Sequence, residues 1–107
     1  MAVQVSTTFE IPGSQVAETL GTVFGVVVRS QGLGGNILAS LRSLGGGEIH
    51  EYTRLLEDTR RQAIDRMLEN AQKVGADAVV GMRFDSSEIG QTMTEVVAYG
   101  TAVRLQA

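Results

Sequence analysis

At 107 residues with 43% hydrophobic side chains, the chain has the length and apolar content of one domain around one core. The absence of cysteine excludes a disulfide framework, a thiolate zinc site and a cysteine nucleophile. With 9 Lys and Arg against 12 Asp and Glu, a net charge of −3 gives no general attraction to a phosphate backbone, so nucleic acid is not an expected partner.

The first residues, Met1 to Ser6, carry no basic or long apolar run, and no window approaches the roughly 18 apolar residues of a membrane span. A cytoplasmic protein without a membrane partner is expected. Alternation and β-branching from Val3 to Phe9 predict a first strand, ended by the turn Ile11-Pro12-Gly13. From Gln15 to Arg29 the positions Val16, Leu20, Val23 and Val27 would also suit a helix face. The run Val23, Phe24, Val26, Val27 and Val28, largely β-branched and with Gly21 and Gly25 interleaved, decides for a long strand that twists or bulges at its glycines.

Gly32 to Gly35 predicts a tight loop, and Asn36 an N-cap for a short helix carrying Ile37, Leu38, Leu41 and Leu44. The run Gly45-Gly46-Gly47 ends it. A long helix is expected from about Glu48, with Ile49, Tyr52, Leu56, Ala63, Met67, Ala71 and Val74 at helical spacing, and Leu55, Ile64 and Leu68 widening the stripe. Lys73 and Gly75 close it, the glycine where a left-handed residue is wanted. Two more strands follow, Ala78 to Asp85 and Thr92 to Leu105, joined through Ser86 to Gln91. In the last strand Met93, Val97, Tyr99, Val103 and Leu105 share one parity, and Val96, Ala98 and Ala102 the other. One helix covers one face of a sheet, so a second apolar face calls for a cover, and a second subunit is the simplest.

Few motifs carry chemistry. Gly32-Leu33-Gly34-Gly35-Asn36 misses the spacing of a dinucleotide fingerprint, whose third glycine falls on Ile37, and reads as a turn. The amides after Gly45-Gly46-Gly47 could attract an anion, but Glu48 and Glu51 already occupy that helix end. His50, the one histidine, lies between them, and Glu48, His50 and Glu51 form the candidate set for a divalent metal ion. Their i, i+2 and i+3 spacing does not converge on one point of a helix, so several copies of the chain would have to contribute. Glu10, Glu18, Asp85, Glu88 and Glu95 read as surface charges, and no catalytic constellation stands out, so an enzyme is not expected. The mixed charges from Arg54 to Glu69 read as a solvated helix face.

Taken together, several segments resemble the YbjQ-like family of small bacterial and archaeal proteins, labelled heavy-metal-binding and otherwise of unknown function. They are Ser6-Thr7-Thr8, Leu20-Gly21-Thr22-Val23 with Gly25, Gly45 to Ile49 with Glu51-Tyr52-Thr53, Gly75 to Asp85, Met93-Thr94-Glu95 and Ala98 to Val103. The resemblance spans nearly the whole chain. It implies an α+β subunit, an antiparallel sheet of about four strands in the order β-β-α-α-β-β on one long helix, assembled as a ring-shaped homopentamer. It also implies binding of metals or selenium, the latter held in a relative by a cysteine. This chain lacks that ligand, and Met67, Met82 and Met93 read as core fillers. The expected function is a non-enzymatic homo-oligomer that binds a small ligand or ion at a subunit interface. The alternatives are a scaffold without ligand, or an enzyme using interface carboxylates such as Asp85, Glu88 and Glu95.

Overall fold

The computed structural model describes residues 2–30, 50–90 and 93–107, and of Glu51 and Tyr52 the backbone alone. The short helix expected from Asn36 and the glycine segments at 32–35 and 45–47 lie outside them. The described elements are β1 (Gln4–Val5), β2 (Val16–Ser30), α1 (His50–Lys73), β3 (Ala78–Ile89) and β4 (Met93–Leu105). The strands form one sheet in the order β1-β3-β4-β2.

The expected antiparallel sheet is corrected to a mixed one, because β1 pairs parallel to β3, Gln4 opposite Ala78 and Val5 opposite Val79. The first strand is also shorter than Val3 to Phe9. Side chains pull the next residues out of the ladder, the Thr8 amide donating to Ser6 Oγ and the Thr8 hydroxyl to the Glu10 carbonyl. The segment still touches β3, with the Met82 amide bonding the Ser6 carbonyl and the Gly81 amide the Thr8 carbonyl. That contact sits where β3 loses register between Val80 and Arg83. The extra residue lets both Val79 and Met82 point to the helix side.

β2 runs as expected, antiparallel to β4 from Val16 opposite Leu105 to Ser30 opposite Met93, with register shifts at Val16/Glu18 and Thr19/Gly21. The bulge expected at a glycine falls at Gly21. Gly25 has a different use. A Cβ there would overlap the Ala63 carbonyl oxygen and the Met67 amide nitrogen, so only glycine lets α1 lie this close to the strand. β3 runs on to Ile89, past the expected end at Asp85, because Ser86 to Ile89 pair with Val96 to Met93.

The buried stripe of α1 is Thr59, Ala63, Met67 and Ala71, with Ile64 and Leu68 half-buried beside it. It meets Val23 and Val27 of β2, Val79 and Met82 of β3, and Val96, Ala98 and Ala102 of β4. Small residues at four of these contacts, Ala63, Ala71, Ala98 and Ala102, draw helix and sheet together, and Met67 fills the remaining space. Burying that one side chain contributes about 2 kcal/mol. Leu55, Leu56 and Val74, expected on the same stripe, are exposed. Gly75 ends the helix with a φ of 80°, and its amide donates to the Gln72 carbonyl.

Candidate functional site

Strand register lays out the sheet face opposite α1 as a grid. Phe24, Tyr99 and Arg83 form one row across β2, β4 and β3, Val26, Val97 and Asp85 the next, then Val28, Glu95 and Ser87, and finally Ser30, Met93 and Ile89. At one end this face has a cover: Ile11 packs with Leu105 over Ala78, Val80 and Val103. Beyond that cover it is open among the described residues. Phe24 is 55% exposed, Val28 49% and Tyr99 38%. The columns on β2 and β4 are mostly apolar, while β3 presents Arg83, Asp85 and Ser87 along one margin.

The rim is ordered by contacts of its own. Arg83 donates through Nη1 to the carbonyls of Thr7 and Met82, both at 2.8 Å, and its guanidinium carbon lies 5.7 Å from the centre of the Phe9 ring. That ring in turn covers Gly81, where a Cβ would come within 2.9 Å of it. The segment after β1, the bulge in β3 and the Arg83 guanidinium are thus tied into one unit.

The carboxylates singled out in the sequence do not converge. Asp85 and Glu95 stand on the open face, but Glu88 has the opposite parity and lies on the helix side. Asp85 accepts the Ser86 amide at 3.0 Å. Glu18 pairs with Arg104 at 3.7 Å across the other end of the sheet, both side chains more than half exposed, which is worth little in water. Of the candidate metal set, Glu48 and the Glu51 side chain lie outside the described residues, and His50 opens α1 with an exposed side chain. Among the described residues no three His, Asp or Glu side chains gather as a metal site would require.

A hollow of about 380 Å³ lies between the chain ends, lined by Gln4, Ser14, Asp77 and Gln106 among others. Asp77 is already engaged there, one carboxylate oxygen accepting the Leu105 amide at 2.9 Å. No helix among the described residues is long and apolar enough to cross a membrane.

Residues 3–106 match the family model named YbjQ and described as "Putative heavy-metal-binding". The chain belongs to the YbjQ family. A UPF0145 protein of Bradyrhizobium sp. (strain ORS 278) is 60% identical over 102 residues, 95% of this chain and 92% of that one. Another, from the archaeon Thermoplasma volcanium, is 60% identical over 97 residues, 91% of this chain and 80% of its own. A crystal structure of a protein of unknown function from Pediococcus pentosaceus has the same fold, with a TM-score of 0.63 at 12% identity over 97% of this chain and 98% of that one. The UPF0145 relatives support the family and the Pediococcus structure the fold, and none of their names states an activity.

Phe24 and Arg83 were not singled out by sequence reasoning. A signal for Phe24 existed in the alternation of Phe24, Val26 and Val28 against Val23, Gly25 and Val27, but both sets are apolar, so period two was silent about which faced the helix.

Proposed function

We propose that this chain is a homo-oligomeric binding module, assembled through the open face of its sheet, with a small ligand or ion enclosed between copies. The observation that carries the reading is the apolar field of exposed Phe24, Val28 and Tyr99 and half-buried Val26 and Val97, bordered by Arg83, Asp85 and Glu95. An apolar centre with a charged margin is the composition of a subunit interface, and isolated soluble domains seldom expose a patch of this kind. A ring of five copies is the assembly that the YbjQ resemblance favours.

The family description supplies the support for a metal as ligand. Heavy metals prefer thiolate, which this chain lacks, so an ion would be held by oxygen and imidazole groups such as Glu48, His50 and Glu51, gathered from neighbouring copies. Calorimetry with zinc and nickel on the wild type and on His50→Ala tests this part. Binding heat in the wild type that the variant loses supports it, and equal heats in both remove it.

The assembly itself is tested by Phe24→Arg and Val97→Arg. Each places a charge within the apolar field, where burial without a partner costs several kcal/mol. Both variants are expected to retain the helical circular-dichroism signal and to run as single chains in light-scattering chromatography. A wild type that already runs as a single chain at micromolar concentration removes the reading.

A further inference from the structure

The outer edge of β2 is a strand edge of apolar composition. Among the described residues β2 pairs with β4 alone, so its far side offers backbone groups to a strand that approaches. The segment Thr22 to Val28 (Thr-Val-Phe-Gly-Val-Val-Val) is rich in β-branched and aromatic residues and has no charge and no proline, the composition that favours strand stacking between copies. Yet two carbonyls on this edge are already taken. Arg66 donates through Nη1 to the Val26 carbonyl at 2.6 Å, and Asn70 through Nδ2 to the Phe24 carbonyl at 2.8 Å. Both donors come from α1, one turn apart, and reach the edge because the helix lies close over Gly25. Just beyond, Arg29 of β2 is itself tied to the helix, donating to Thr59 Oγ1 at 3.3 Å and to Gln62 Oε1 at 2.9 Å. At the opposite end the two register shifts before Gly21 bend the strand out of the flat geometry that pairing needs.

We infer that Arg66 and Asn70 form a guard that closes the β2 edge to strand addition by a second copy of this chain. An incoming strand would donate its own amides to the carbonyls of Phe24 and Val26, the two acceptors that these side chains hold. The Cβ-less position at Gly25 is then needed twice over, once for packing and once to bring the guard within reach. The inference does not depend on whether copies also meet through the open face, because it concerns only the edge.

The test compares the wild type with Arg66→Ala/Asn70→Ala over a rising concentration series, by light-scattering chromatography and infrared spectroscopy. Both side chains are exposed and alanine is the best helix former, so the helix itself is retained. The double variant is expected to grow in mean mass by about twofold or more across the series, with added intermolecular β signal, while the wild type keeps one mass. A double variant with wild-type helical signal and wild-type mass at every concentration overturns the inference. Should the double variant lose its helical signal, the single variants decide on the same readouts, each expected to grow less than the pair, and their failure to grow overturns it too.

Discussion

Individual residues hold this fold at a few points of close contact, and Gly25 is the tightest. Its added methyl in Gly25→Ala would meet helix backbone that cannot turn aside as a side chain could, so the helix must lift from β2. Overpacking of this kind costs about 1–3 kcal/mol, and each kcal/mol lowers the melting temperature of a domain this size by about 4–8 °C. Thermal unfolding followed by circular dichroism is expected to show that drop. Met67 gives the opposite case. It is fully buried between helix and sheet, and Met67→Ala leaves a cavity worth about 2–5 kcal/mol, read as a lower urea midpoint. Thr59 is buried and polar, with its hydroxyl donating to the Leu55 carbonyl and accepting from Arg29. Thr59→Val keeps the shape and removes both bonds, at an expected cost of about 1 kcal/mol in the same measurement.

At the level of elements, the sequence was read best where one physical signal dominated. Helix α1 was legible from Ala63, Met67 and Ala71 at helical spacing, and its end from Gly75. Strand β2 was legible because β-branching outweighed an ambiguous periodicity. The missed features arise from partners distant in sequence. Ser86 to Glu88 read as loop because they are polar, yet pairing with Val96 to Thr94 keeps them in β3. The parallel pairing of β1 depends on what lies beside it in space, and nothing in Val3 to Phe9 encodes direction. The candidate site was half legible. Parity in β4 placed Val97 and Tyr99 on a second apolar face, and both do stand on the face turned from α1. The edge of β2 gave no advance signal, because Arg66 and Asn70 look like ordinary solvated helix positions until the strand beneath them is known.

For the whole molecule the decisive feature is an asymmetry between the two faces of one sheet. The helix covers one face along Val23, Val27, Val96 and Ala98, and on the other only the end under Ile11 is closed among the described residues. In the proposed reading the open face is one half of an interface, with charge at its margin and the edge of β2 beside it. Native mass spectrometry of untagged protein tests that account most directly, since it reads stoichiometry and any retained ligand in one spectrum. The account predicts a single assembly, a ring of five, that falls to single chains in Phe24→Arg. Wild-type protein seen only as single chains at micromolar concentration, or an assembly untouched by Phe24→Arg, would contradict it.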